Sequence, residues 1–176
     1  MKSRSFWENR PLAWVGLALI VLLAIFLGAN RTVASLSGKV EKAYTERTEA
    51  YGSVTEDLGK YADYASRLSS LAGDGGEELR KALSLFDEEK SSPFGVTHGI
   101  DPVHRAAAAV YQTLQTSGEE ETAKKATLYF YEMDSTRMRL RNNASYARAA
   151  ARYNAAVKGF PASLLTFGRK EAVTFD

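Results

Sequence analysis

From Leu12 to Ala29 the chain runs for 18 residues without a charge, and only Gly16 and Gly28 in that run are weak helix formers. At about 1.5 Å per residue such a run is long enough to cross the hydrocarbon of a bilayer as a helix, the one way a single segment satisfies its own backbone there. Arg10-Pro11 and Asn30-Arg31 bracket it, and Trp7 and Trp14 suit the headgroup level. A cleaved signal peptide is the rival reading, since a basic start precedes the run. The run exceeds the usual apolar length of about 7–15 residues, however, and Leu27-Gly28-Ala29 is a poor small-x-small cleavage site. A retained single-pass anchor in the cell membrane is therefore expected, contacting the bilayer through residues 12–29. Its orientation stays open: Lys2, Arg4 and Arg10 before the run nearly balance Arg31, Lys39 and Lys42 after it, with a slight lean to the N-terminus inside.

Beyond the anchor no stretch alternates apolar and polar residues long enough for a strand, so an all-α fold is expected. Val40, Tyr44, Tyr51, Val54, Leu58, Tyr61, Ala65, Leu68 and Leu71 step by three and four, predicting one helix from about Asn30 to Leu71, interrupted on its apolar face by Arg47. Gly73, Gly75 and Gly76 stop it. A short second helix over Glu77–Lys90 presents Leu79, Leu83 and Phe86. A loop follows, and Asp101-Pro102 reads as an N-cap with proline at the first helical position of a third helix to about Thr116, with Ala106, Val110, Tyr111 and Leu114 inward. Ser117-Gly118-Glu119-Glu120 reads as the start of a last helix from about Gly118 to Gly159. The expectation is an antiparallel bundle of two long and two short helices, with too few partners for the anchor-proximal Val33, Leu36, Val40 and Tyr44. The tail folding back, self-association or another protein would cover them.

Tyr146, Tyr153 and Phe160 recur every seven residues, a coiled-coil-like spacing that puts three rings on one line continued by Leu140 and Met133. Gly159 and Pro161 end the helix. Tyr153-Asn154, Phe160-Pro161, Leu164-Leu165, Phe167-Gly168 and Phe175-Asp176 follow the order and spacing at the C-terminus of the LemA family of bacterial membrane-associated proteins, which this stretch resembles. Val40, Ala43 and Tyr44 resemble that family's early Val-x-x-Ala-Trp. The first Tyr-Asn is half kept as Tyr146-Ala147, and the family's Asp-Leu-Ile-Pro-Asn-Leu segment is missing, with Glu56-Asp57-Leu58-Gly59 nearby. The resemblance covers roughly the last 35 residues and implies a divergent member, a LemA-like bundle over 30–160 and an apolar tail over 161–176 packed back on it. It also implies a cytoplasmic bundle with the N-terminus outside. The family carries no agreed activity.

Charge narrows the partners. Removing Lys2, Arg4, Arg10 and Glu8 leaves 23 − 3 = 20 basic against 21 − 1 = 20 acidic residues, so no global field favours nucleic acid. Cysteine is absent, which removes disulfides, thiolate nucleophiles and cysteine metal sites. From Ser135 to Lys170, by contrast, eight basic residues stand with no acid. The plainer account is pairing within the bundle with the acidic stretches Asp74–Glu89 and Glu119–Glu121. The functional account makes Arg148, Arg152, Lys158, Arg169 and Lys170 a face for a protein partner or for anionic headgroups.

Other constellations are thinner. His98, Asp101 and His104 match no ligand spacing, and Ser91, Ser92 and His98 match no nucleophile–base motif. Consecutive acids at Asp87-Glu88-Glu89 and Glu119-Glu120-Glu121 point in different directions, and the acids beside Gly73-Gly75-Gly76 would repel phosphate. No catalytic residue, cofactor, metal or small-molecule substrate is indicated. The expected function is a membrane-anchored, non-catalytic scaffold or adaptor of the LemA type, binding protein partners or itself. A membrane-associated hydrolase or metal-dependent enzyme, or an envelope sensor, is the alternative.

Overall fold

The computed structural model describes residues 10–47, 52–95, 99–117, 119–160, 162–165 and 169–175. The fold is all-α, with one long apolar helix at its N-terminal end. Seven α-helices are described: α1 (Arg10–Thr45), α2 (Val54–Leu71), α3 (Glu77–Glu89), α4 (Ile100–Ser117), α5 (Glu120–Arg141), α6 (Ala144–Lys158) and α7 (Ala162–Leu165). A 3-10 turn at Gly73–Gly76 links α2 to α3.

Each of the two long helices expected from the apolar stripes is broken into two. The first divides between Thr45 and Val54, where the Ser53 hydroxyl accepts from the Glu56 amide at 3.1 Å and starts α2 afresh. Arg47, which interrupts the stripe, lies in this break and pairs with Glu56 at 2.6 Å. The second divides at Asn142-Asn143, where the buried Asn143 side chain accepts from the Tyr146 amide at 3.1 Å and caps α6. Serine and asparagine satisfy amides that a helix start leaves unpaired, so each break costs little although the apolar period runs on through it.

The two breaks divide the fold into two tiers. In one, α2 packs on α5, α3 on α4 and α4 on α5, around Leu58, Tyr61, Leu68, Leu79, Phe86, Val103 and Met133. In the other, α6 and α7 pack on the C-terminal part of α1. Val33, Val40 and Tyr44 are buried there and Leu36 is half-buried, so this one chain covers most of the stalk. The apolar first part of α1 has no such cover: Trp14 is 70% exposed, and every large apolar side chain from Val15 to Leu27 is exposed.

Two starts differ in detail from the sequence reading. Asp101 lies inside the first turn of α4, which begins at Ile100, so it is no N-cap. The α5 cap is Glu119, without a side-chain cap bond. In the turn after α2, Gly73 has φ +55°, and a Cβ on Gly76 would stand 2.3 Å from the Ser69 carbonyl oxygen. Gly59, mid-helix in α2, has open space around it. Gly76→Ala is therefore expected to destabilise the chain by about 2 kcal/mol or more. Gly59→Ala should instead stabilise it by about 0.5–1 kcal/mol. Denaturant unfolding in detergent measures both.

Candidate functional site

The heptad rings of the C-terminal stretch form a clasp. Tyr146 and Tyr153 are buried, and each donates its hydroxyl to a tail carbonyl: Tyr146 to Val173 at 2.8 Å and Tyr153 to Lys170 at 3.1 Å. Asn154 holds the backbone of Ala172, donating Nδ2 to its oxygen at 2.9 Å and accepting its amide at 2.8 Å. A side-chain amide bonded twice to one residue imitates a neighbouring strand, which suits an extended tail segment with no sheet beside it. On its other edge the tail bridges Pro93–Gly95 antiparallel, with Val173 N to Pro93 O at 2.8 Å and Gly95 N to Glu171 O at 3.1 Å. Gly95 takes φ +70°, and a Cβ there would collide with the Lys170 side chain. Phe94 packs on Tyr153 and Phe175 on Tyr146, which in turn meets Tyr44 with ring centroids 5.6 Å apart.

Phe160 leaves the line. It is 83% exposed, whereas Leu140 and Met133 are buried as the heptad reading expects. The cause is local: α6 ends at Lys158, and Gly159 is extended at φ −77° and ψ 148°, so the next side chain turns off the helix face. Pro161, Phe167, Gly168 and Asp176 lie outside the described residues, as do Trp7, Tyr51 and His98.

The five basic candidates separate into two groups. Lys158 pairs with Glu171 at 2.8 Å, Arg169 donates to the Asn30 side chain at 2.6 Å, and Lys170 is exposed beside Gly95. Arg148 and Arg152 instead line a groove between α1 and α6 of about 210 Å³, floored by Leu36 and Ala149 and joined across it by Lys39. Arg148 donates to its own helix at Ala144 O, and no acidic side chain among the described residues lines this groove. Lys39 escaped the sequence reading, which counted it only towards membrane orientation. Its place on α1, three residues after Leu36, was the available signal.

A second surface was also missed. Leu128, Tyr131 and Met138 are exposed on α5, and Tyr131 and Met138 border a cleft of about 410 Å³ that reaches Asp57 and Arg139. The Asp57 side chain is only 8% exposed and faces Arg139 Nε at 3.4 Å, while Arg139 also donates to the Thr136 hydroxyl at 2.8 Å. Three- and seven-residue spacing opposite Met133, Thr136 and Leu140 carried that stripe in the sequence.

Of His98, Asp101 and His104, only Asp101 and His104 are among the described residues. Asp101 pairs with Arg137 at 2.8 Å at the surface, and His104 stacks on Phe130 with centroids 5.4 Å apart. No group of three metal-ligating side chains comes together among the described residues. Ser92 uses its hydroxyl to accept the Phe94 amide at 3.2 Å, bracing the loop that meets the tail.

Burial, and then the Arg137 guanidinium, lower the pKa of His104, against weaker opposing effects of Asp134 and Asp101. The folded chain thus resists protonation there, and the unfolded chain binds the proton first. Stability is fully present above the ordinary histidine value of about 6.5 and falls as the pH drops below it. His104→Gln, neutral throughout, should flatten that fall in pH-dependent unfolding. Tyr146→Phe should cost about 1 kcal/mol and expose the tail to carboxypeptidase earlier, since one clasp bond is lost while the ring contacts remain.

No family model and no solved structure matches the chain. A segment of 63 residues, 36% of the chain, is 36% identical to the transcription initiation factor IIB of Sulfurisphaera tokodaii, covering 20% of that protein. The factor of Saccharolobus shibatae matches with the same identity and coverage. The chain therefore spans about a fifth of the length of the curated relatives it matches, a likeness of one segment.

Proposed function

We propose that the protein is a single-pass, membrane-anchored adaptor of the LemA type, non-catalytic, that holds a rigid helical bundle at the membrane for a protein partner. The observation that carries this is the continuity of α1. Its first part is an apolar rod whose large side chains from Trp14 to Leu27 are exposed, and its last part, through Val33, Val40 and Tyr44, is core of the bundle. One unbroken helix couples span and bundle without a flexible linker, so the bundle's height above the bilayer is set by helix rise. The LemA reading is supported by what its motif residues do: Tyr153 and Asn154 grip the tail, and Phe175 packs against Tyr146.

The partner face in this reading is the groove of Lys39, Arg148 and Arg152. Leu36 and Lys39 lie six and nine residues beyond Asn30, or about 9–14 Å at 1.5 Å per residue. The polar zone of a leaflet is only about 5–8 Å deep, so the groove stands clear of most headgroups and suits an acidic peptide segment on a neighbouring protein. The archaeal factors' role in transcription enters nowhere in this reading, because the bundle side of the chain carries no net charge.

Two measurements test it. The full chain should stay in the membrane pellet after alkaline carbonate extraction, and release into the supernatant would defeat the anchor. Arg148→Glu with Arg152→Glu should remove specific proteins from an affinity pull-down while leaving unfolding unchanged, since both side chains are exposed. An unchanged partner set would move the binding face elsewhere.

A further inference from the structure

The base of the bundle carries an apolar side chain that the fold itself does not use. Phe160 is the most exposed of the large hydrophobic side chains described, more so than the apolar residues of α1. Its position is held from both sides: Gly159 N bonds Ala155 O at 2.9 Å, and Ser163 N bonds Gly159 O at 2.9 Å. The following Ala162 is buried, and α7 packs on both α1 and α6. A loose terminus would leave such a ring free to fold away. Here the backbone on each side is tied down while the ring projects outward.

The level of Phe160 follows from the antiparallel pairing of α1 and α6. Tyr44 meets Tyr146, and from that contact Asn30 is 44 − 30 = 14 residues down α1, while α6 runs 158 − 146 = 12 residues down to Lys158 and Phe160 follows two residues past its end. At helical rise α1 descends about 21 Å and α6 about 18 Å, so Phe160, just past the end of α6, stands near the level of Asn30, next to the end of the uncharged run at Ala29. An independent contact marks the same level: Arg169, which follows α7, donates to the Asn30 side chain at 2.6 Å. Exposed Arg31 and the Lys158–Glu171 pair lie at this end as well.

We infer that the base of the bundle is a second membrane contact, in which Phe160 inserts at the boundary between headgroups and acyl chains beside the emerging α1. This rests on the reading of α1 as a span. The chemistry suits that boundary: an aromatic ring enters the apolar edge of the leaflet, while Arg31 and Arg169 remain at phosphate level, where cationic side chains are favoured, and Lys158 neutralises Glu171 beside them. A span alone leaves a bundle free to tilt. A span with a second, lateral foothold sets its tilt and rotation, and so fixes which way the groove of Arg148 and Arg152 faces over the membrane.

Tryptophan fluorescence of the full chain reconstituted in phosphatidylcholine–phosphatidylglycerol vesicles tests this. The native chain has two tryptophans, so Trp7→Phe with Trp14→Phe supplies a silent background. Phe160→Trp, Val21→Trp and Leu128→Trp are then placed in it one at a time, all at exposed positions. The expected result is blue-shifted emission at 160 that loses most of its intensity when the lipids are brominated near the top of their acyl chains. Position 128 should emit as in water, without quenching. Water-like emission at 160 beside a quenched position 21 overturns the foothold and leaves the span standing. A water-like position 21 defeats the span reading itself, and the inference with it. A blue-shifted band at 160 untouched by bromine signals cover by protein, such as a second copy, and also overturns the inference.

Discussion

The hydroxyls of three buried tyrosines tie the tier of α1, α6 and α7 together. Tyr44 donates to the Lys90 carbonyl at 2.6 Å, and Tyr146 and Tyr153 donate to Val173 and Lys170. In each case a ring fills the core while its hydroxyl satisfies the carbonyl of a segment that has no helix or sheet of its own. A bond of this kind adds only about 1 kcal/mol net, but leaving either partner unpaired inside the tier would cost more. The tail and the 90–95 loop can therefore lie against helices without carrying orphaned backbone groups. Without them α1 would lose part of its cover beyond Asn30.

That tier converts a helix into a fixed post. The same α1 that is uncovered before Asn30 becomes core from Val33 onward, and the change coincides with the end of the uncharged run. The four helices α2–α5 are carried on this post through the break at 46–53, which the Arg47–Glu56 pair and the Thr55 hydroxyl bond to the Tyr44 carbonyl span. The exposed ion pair adds little stability by itself. With the Thr55 bond and the packing of α1 on α2 it forms a contact between the two tiers.

Charge acquires meaning through the same geometry. Eight basic residues without an acid form one run in the chain, yet they divide once it folds. Arg137 is drawn to Asp101, Arg139 to Asp57 and Lys158 to Glu171, while Arg169 reaches Asn30. Arg148 and Arg152 remain in a groove, and Lys39 from α1 joins them. The acids that pair with this run, Asp101, Asp57 and Glu171, lie outside the acidic stretches Asp74–Glu89 and Glu119–Glu121, and Arg148 and Arg152 line the groove with Lys39.

Periodicity and composition determined the all-α class, the apolar span-length helix, the inward residues of α3 and the seam through Met133, Leu140, Tyr146 and Tyr153, because these depend on local repeat and on water avoidance alone. The two breaks were partly legible, as Ser53 and Asn143 are good caps. A cap residue also occurs within helices, though, and only the packing of α2 on α5 and of α6 on α1 makes turning there preferable to continuing. Tertiary structure alone decided that Asn154 holds the backbone of Ala172, that Lys39 shares a groove with Arg148 and Arg152, and that Asp101 pairs with Arg137. Each of those is a contact between residues far apart in the chain, and no local pattern carries the distance between them.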